Sequence, residues 1–130
     1  MEITISQDDG RVPVTVFHLQ GDLADEEPLW SQAQQAYVDG TRYLLLDMRK
    51  VPSITSAGLR AIHEVYQLLR SDAPEESDEV VRKGIASGSY TSGHLKLLKP
   101  SKTAMKSLSV AGYDMFLDIY KKYAEAIASF

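Results

Sequence analysis

Five short stretches of the chain are rich in apolar residues and follow the pattern of β-strands. Residues 1–6 alternate between apolar and polar side chains, as in an edge strand, and the turn signal Asp8-Asp9-Gly10 follows them. The uninterrupted run Leu44-Leu45-Leu46 favours a central strand with both faces buried. The five predicted strands are residues 1–6, 12–19, 43–48, 94–98 and 115–119.

The stretches between these strands show the three- and four-residue spacing of amphipathic helices. Asp25 can cap the first helix, Pro28 suits its first turn and Gly40 suits its end. A later helix follows a cap at Ser101, and a short helix of residues 123–127 lies near the end of the sequence. The alternation of strands and helices after an amino-terminal β pair predicts an α/β fold.

The most regular helical pattern follows the third predicted strand. At 100° per residue, apolar side chains fill one half of the helical wheel and polar side chains fill the other. Thr55 is the expected N-cap, and Ser56 projects onto the polar half, so we expect its hydroxyl to be exposed at the positive end of the helix dipole. The apolar half contains Gly58, Leu59, Ala61, Ile62, Val65, Tyr66, Leu68 and Leu69, and the polar half contains Arg60, His63, Glu64, Gln67 and Arg70.

Residues 71–93 interrupt this alternation. The acidic start from Ser71 to Glu76 and the stop signal Lys83-Gly84 predict a short exposed helix. Residues 85–93 are rich in Ser, Gly and Thr, which favours a mobile connection. We therefore expect a single domain over residues 1–130 with an inserted exposed segment at about 71–93.

The amino-acid composition and net charge exclude several classes of protein. The chain has 130 residues, of which 44% are apolar, and this suits one domain with a sizeable core. The absence of cysteine excludes disulfides, cysteine zinc sites and thiol catalysis. The start lacks the pattern of a signal peptide and no segment approaches the ~20 apolar residues of a membrane span, so we expect a cytoplasmic protein without membrane insertion. The net charge of −4 argues against direct nucleic-acid binding.

The polar residues do not form a catalytic or metal-binding pattern. Ser56, His63 and Asp47 supply the residue types of a serine hydrolase, but Ser56 and His63 lie about 10 Å apart along one helix at 1.5 Å per residue. That separation is too long for a direct hydrogen bond between nucleophile and base. His18, His63 and His94 are widely scattered and show no metal-ligand spacing. Since the chain also lacks the glycine-rich loops of nucleotide sites, we expect no enzyme activity, no metal and no cofactor.

The stretch LLLDMRKVPSITSAGLRAI, residues 44–62, resembles the signature of the STAS domain, the sulfate-transporter and anti-sigma-factor-antagonist family. The Gly21-Asp22-Leu23 element is similar to an upstream Gly-x-Leu of that family, and residues 94–120 are similar to its later strand, helix and closing strand. The resemblance covers nearly the whole chain except residues 71–93. It implies a mixed sheet of four or five strands with about four helices packed mainly on one side.

The resemblance also implies a function. Stand-alone bacterial members of the family bind an anti-sigma factor, often a serine kinase, and release the sigma factor that it holds. The kinase phosphorylates a Ser or Thr in the central motif and abolishes binding, and a phosphatase restores it. Ser56 is the serine in register here, with Thr55 the less favoured alternative. We expect an anti-sigma factor antagonist that is a monomer or a weak dimer.

Three positions depart from the usual motif, and two of them favour an alternative function. Thr55 stands where many members have Asp, Ala57 stands where many have a second Ser or Thr, and Ala24 stands where an upstream Asp is frequent, with Asp25 beside it. Together with the inserted segment, the first two departures favour an interaction module without a phospho-switch. Examples would be a stressosome-like scaffold or the cytoplasmic subunit of a lipid-transport complex.

The expected partner face combines the start of the central helix, its polar side and the upstream loop. A phosphate would add about −1.5 to −2 charges there. The helix N-terminus would tolerate that charge, and Arg60, one turn further along, could pair with it. The residues expected to contact a partner are Asp22, Ala24, Asp25, Thr55, Ser56, Ala57, Gly58, Arg60, His63, Glu64 and Gln67.

Overall fold

The computed structural model describes residues 1–130 and contains five strands and five α-helices. Single turns of 3-10 helix at Pro74–Glu76 and Tyr113–Met115 join some of them. The strands are β1 (Glu2–Asp9), β2 (Pro13–Gln20), β3 (Leu44–Lys50), β4 (Leu95–Leu98) and β5 (Ile119–Tyr120). The helices are α1 (Leu29–Val38), α2 (Ser56–Arg70), α3 (Asp78–Ser87), α4 (Lys102–Val110) and α5 (Tyr123–Ala128).

The strands form one mixed sheet in the order β1-β2-β3-β4-β5. β1 is antiparallel to β2, whereas the β2–β3, β3–β4 and β4–β5 pairs are parallel. Each parallel pair is joined by a crossover that contains at least one helix, as parallel strands require. The predicted mixed sheet is confirmed, with five strands.

The two faces of the sheet carry separate hydrophobic clusters. The larger cluster joins side chains of β2, β3 and β4, such as Phe17 and Leu46, to apolar residues of α1, α2, α3 and α4. The smaller cluster joins Val16 and Leu45 on the opposite face to α5 and to Phe130. Four helices therefore cover one face and the short terminal helix covers part of the other, in agreement with the expected packing.

The start of α1 differs from the prediction. Asp25 does not cap the helix, because the N-cap position belongs to Pro28, which makes no side-chain cap hydrogen bond. The chain needs a turn after the upstream loop before it can enter the helix, and the amide of Trp30 donates to the carbonyl of Glu26 in that turn at 3.0 Å. The predicted end is confirmed, since Gly40 follows the helix with a φ of 107° that favours glycine.

The segment between α2 and β4 makes more contacts with the rest of the domain than its sequence suggests. Its helix starts at a Ser77 cap and continues through the predicted stop to Ser87, where Gly88 in the left-handed conformation ends it. Gly84 lies inside this helix, and a β-carbon there would come within 2.4 Å of the Tyr90 β-carbon, so the position requires glycine. A close approach between backbone segments, rather than a helix end, explains this glycine.

The expectation that residues 71–93 are exposed is wrong for their inner face. Glu76 and Tyr90 are buried, and Glu76 accepts hydrogen bonds from the Tyr90 hydroxyl at 2.6 Å and from the Gly93 amide at 2.9 Å. The Tyr90 hydroxyl also meets that of Tyr66 on α2, at 2.8 Å. Burial and the hydrogen bond to Glu76 both raise the pKa of Tyr90, so the phenol stays protonated and can donate. This network fastens the segment to α2.

The last strand is shorter than predicted. Residues 113–115 form a 3-10 turn after Gly112, which has a φ of 81°, and only Ile119–Tyr120 pair with β4. The amide of Leu117 continues the turn by donating to the carbonyl of Tyr113 at 3.0 Å. The apolar run near residue 115 therefore belongs mostly to this turn. None of the helices combines the length and the apolar character that a membrane-spanning helix needs.

Candidate functional site

The first turn of α2 carries two hydroxyl residues in different environments. Thr55 is the N-cap, and its hydroxyl accepts a hydrogen bond from the Gly58 amide at 3.3 Å. The same hydroxyl donates to the carbonyl of Ala24 at 3.0 Å. Ser56, the first residue of the helix, is exposed. The structure therefore confirms the predicted cap and the predicted exposure of Ser56.

The loop between β2 and α1 is fixed against the start of α2 by backbone hydrogen bonds. The Leu23 amide donates to the carbonyl of Ser53 at 3.0 Å, and the Thr55 amide donates to the carbonyl of Leu23 at 3.0 Å. Leu23 also forms an isolated parallel bridge with Ile54, and its side chain is buried in the larger core. The loop and the helix start therefore form one continuous surface.

Gly58 lets these two segments approach each other. A β-carbon at this position would lie 2.1 Å from the carbonyl oxygen of Leu23 and 2.9 Å from its Cγ. Contacts below about 3.0 Å do not occur between such atoms without movement. Since Gly58 is buried, it contributes to the predicted partner face only by setting the position of the loop.

The remaining predicted partner residues lie on or near one surface. Two of them have side-chain contacts that the sequence did not indicate: Arg60 pairs with Glu26 at 3.3 Å, and Asp22 accepts a hydrogen bond from Ser53 at 2.9 Å. His63 packs beside the aromatic rings of Tyr66, Tyr113 and Phe116. The exposed members are Asp22, Asp25, Thr55, Ser56, Arg60 and Gln67, and the half-buried members are Ala24, Ala57, His63 and Glu64.

The sequence pattern did not predict a shallow groove that lies beside Ser56. It runs between α2 and α4, and Ser56, Leu59, Lys106 and Val110 are among its lining residues. Val110 is 80% exposed and gives this groove an apolar edge. An apolar residue on the polar side of the α4 pattern was the signal that could have revealed this groove.

Other candidate chemistry is absent from this surface. His63 is near aromatic rings, whereas Asp47 binds His18 and Arg49, so the structure does not bring together Ser56, His63 and Asp47. No group of three or more His, Asp or Glu side chains is arranged to hold a metal ion. What the surface offers is an exposed hydroxyl, a fixed loop and a bordering apolar groove.

Comparison with protein-family models and with curated protein sequences finds no match. Solved structures do match. A protein of Thermotoga maritima, described as an anti-sigma factor antagonist, aligns with a TM-score of 0.68 at 19% identity, over 96% of this chain and 91% of its own. The anti-sigma factor antagonist SpoIIAA in its unphosphorylated form aligns with a TM-score of 0.63 at 15% identity, over 95% and 92%.

The phosphorylated form of SpoIIAA, a Bacillus cell fate determinant, aligns with a TM-score of 0.63 at 18% identity, over 97% of this chain and 96% of its own. These identities are too low to transfer an activity, but the coverage is nearly complete on both sides. The chain therefore has the STAS-like fold of the anti-sigma factor antagonists.

Proposed function

We propose that this protein is an anti-sigma factor antagonist controlled by phosphorylation of Ser56. In this proposal the unmodified protein binds an anti-sigma factor that is also a serine kinase, and the bound sigma factor is released. The kinase then phosphorylates Ser56 and binding ends until a phosphatase removes the phosphate. The observation that carries the proposal is the exposed Ser56 hydroxyl at the start of α2, in a fold shared with antagonists. One of those antagonists, SpoIIAA, has been solved in a phosphorylated form.

Ser56 suits modification better than Thr55 does. The Thr55 hydroxyl donates its only proton to the Ala24 carbonyl and accepts from the Gly58 amide. A phosphate on Thr55 would remove the donated hydrogen bond and disturb the cap, which is worth about 1 kcal/mol. Ser56 is exposed and lies outside these contacts, so its modification leaves them in place.

The fold accommodates a phosphate at Ser56. The free amides of the first helical turn and the helix dipole favour negative charge at this end of α2. Arg60 lies four residues further along and pairs with Glu26 on the surface at 3.3 Å. An exposed pair of this kind contributes only about 0–1 kcal/mol to stability, so Arg60 can leave Glu26 and pair with the phosphate with little loss of stability.

A bound partner would respond differently from the fold. A protein pressed against Ser56 and the adjoining groove would have to desolvate a group carrying about two negative charges. A coupling of about 1–3 kcal/mol between phosphorylation and binding corresponds to a 5- to 150-fold change in affinity. Such a change is large enough for a regulatory switch.

The proposal is tested by capture and phosphate mapping. The wild-type chain should retain an anti-sigma factor kinase from an extract of its own organism, and incubation with that kinase and ATP should place one phosphate on Ser56. Transfer to Ser56 should disappear in Ser56→Ala. Absence of phosphate from both Ser56 and Thr55 would refute the switch. Capture of a transporter ATPase or a large scaffold would support the alternative of an interaction module in another assembly.

A charge substitution separates the effect on binding from an effect on folding. Ser56→Asp should keep the wild-type urea midpoint but bind the kinase at least about 5-fold more weakly. Ser77→Asp is a matched control, because it places the same substitution at the cap of α3, where Asp serves as well as Ser. Equal affinities of Ser56→Asp, Ser77→Asp and wild type would show that Ser56 lies outside the interface.

A further inference from the structure

Three polar side chains form a hydrogen-bonded chain on the sheet face opposite to α2. The Ser6 hydroxyl lies 2.9 Å from Nε2 of His18, and Nδ1 of His18 lies 2.7 Å from Oδ2 of Asp47. The strand register produces this arrangement. His18 and Asp47 are directly paired between β2 and β3, and Ser6 is two residues beyond Thr4, the β1 partner of His18. Diagonal neighbours of this kind lie within reach of one another on one face.

The direction of the hydrogen bonds follows from the charge of Asp47. Burial of this carboxyl raises its pKa, but hydrogen bonds from Arg49 and His18 and the charge of Arg49 outweigh burial and bring the pKa to about 2. Asp47 is therefore an acceptor at neutral pH, and Nδ1 of His18 must be the donor. In the neutral imidazole this leaves a lone pair on Nε2, which accepts the proton of the Ser6 hydroxyl.

This is the same connectivity as in the catalytic triads of serine hydrolases, which join the serine to Nε2 and the carboxylate to Nδ1. Asp47 is also held on its other side, since Nε and Nη2 of Arg49 donate to its two oxygens at 2.9 and 2.8 Å. Asp47 therefore fixes the tautomer and the orientation of His18. The imidazole is one-third exposed and Ser6 is half-buried beside it.

His18 and Asp47 of this triad line an open groove on the uncovered part of this face, and Ser6 lies beside it in hydrogen-bond contact with His18. The groove is lined by the proposed base His18, by its carboxylate partner Asp47 and by cationic or polar side chains that can contact an ester. These residues are Thr4, His18, Gln20, Asp47, Arg49 and Lys50. The groove gives access from solvent without any movement of the sheet.

We propose that Ser6 is an activated nucleophile that accepts the acyl group of a small activated carboxylic ester. The Ser6 oxygen forms a bond to the ester carbonyl carbon while its proton passes to Nε2 of His18. The bond between that carbon and the leaving oxygen then breaks, and His18 returns the proton to the leaving alcohol. Water attacks the acyl-Ser6 ester in the same way and releases the carboxylic acid, which restores Ser6.

The sequence concealed this cluster because its members come from three different strands. Ser56 and His63, the other serine and histidine considered with Asp47, share one helix with each other but have no contact with Asp47. Only the register of β1 and β3 against β2 brings Ser6, His18 and Asp47 together. No short motif encodes such an arrangement.

The full-length chain with p-nitrophenyl acetate provides the test. The intact mass should increase by one acetyl group, peptide mapping should place it on Ser6, and p-nitrophenol release should exceed that of Ser6→Ala at least tenfold. His18→Gln should slow labelling of Ser6 by about 10²-fold or more, since positioned bases contribute about 10²- to 10⁴-fold. Ser87→Ala, which changes an exposed serine on α3, should react like wild type.

Two controls keep the outcome decisive. Urea midpoints of all variants establish that each is folded, and labelling of folded wild type by a fluorophosphonate gives an independent count of reactive serines. Acetylation confined to lysines or to the amino terminus, or equal rates for wild type and Ser6→Ala, would overturn the proposal. Because Ser6 lies on the face opposite to Ser56, Ser6→Ala should keep full affinity for the kinase. Failure of the esterase proposal would therefore leave the proposed binding of the kinase untouched, and the reverse also holds.

Discussion

Replacing Gly58 by alanine tests whether the contact between the upstream loop and α2 is as tight as the structure shows. The new β-carbon would lie 2.1 Å from the Leu23 carbonyl oxygen, roughly 1.4 Å inside the ~3.5 Å that is the shortest optimal separation of non-bonded heavy atoms. The obstacle is a backbone carbonyl rather than the end of a flexible side chain. Relief therefore requires movement of the loop away from the helix.

The magnitude follows from two opposing effects. Overpacking at a buried site costs about 1–3 kcal/mol, and displacement of the Leu23 carbonyl would also weaken its hydrogen bond from the Thr55 amide, worth about 1 kcal/mol. Alanine is favoured over glycine inside a helix by about 1 kcal/mol, which opposes this loss. We expect Gly58→Ala to lower the free energy of unfolding by about 2 kcal/mol.

Urea unfolding followed by circular dichroism measures this difference. With an m-value of about 2 kcal/mol/M, the midpoint should fall by about 1 M. Ser56→Ala is a matched control two residues earlier, because its side chain is exposed and its midpoint should hardly move. If Gly58→Ala were as stable as wild type, or gained the ~1 kcal/mol of helix propensity, the inferred steric contact would not exist.

Three further predictions concern the Thr55 cap, the buried Glu76 and the Asp47 carboxylate. Thr55→Ala should lower the free energy of unfolding by about 1–2 kcal/mol through loss of the cap, whereas Ser56→Ala should change it by less than about 0.5 kcal/mol, as measured by urea titration. Glu76→Ala should destabilise by about 3 kcal/mol because buried donors lose their acceptor. Glu79→Ala, which removes only an exposed pair with Lys83, should have little effect in the same titration. The lowered pKa of Asp47 stabilises the fold above its ordinary value of 3.8, so up to about 2 kcal/mol should be lost as the pH falls from about 4 to 2, and Asp47→Asn should lack that part of the pH dependence.

The parts of the fold predicted well from sequence are those in which local pattern and tertiary packing agree. α2 carries an apolar half that faces the sheet and a Thr55 cap at its expected position, so its pattern alone defined its start. The run Leu44-Leu45-Leu46 similarly showed a strand buried on both faces, and its residues contribute to both clusters. The exposure of Ser56 could be predicted because the same helical geometry places its side chain on the polar half of α2.

The errors occurred where a distant contact decides the local structure. Gly84 resembled a helix stop because the sequence contains no sign of Tyr90 packing against it. Glu76 resembled an exposed acidic residue of a first turn, although it accepts hydrogen bonds from groups that lie further along the chain. Asp25 has the chemistry of a cap, but the bonded loop before it shifts the helix start. Long-range partners of this kind are invisible to local pattern.

The rigidity of the helix start determines how phosphorylation of Ser56 would act. Thr55 ties the helix to the loop by a side-chain and a backbone hydrogen bond, and Gly58 allows the Leu23 carbonyl to rest directly on the first turn. Because these contacts lie on the inner side of the turn and Ser56 lies on the outer side, a phosphate adds charge without competing for them. The free-energy cost of desolvating the phosphate would then be met when a partner protein binds to the outer side. Because the backbone contacts of the helix start stay in place, most of the free-energy cost of desolvating the phosphate would oppose binding of the partner, and this is the property that a switch at this position requires.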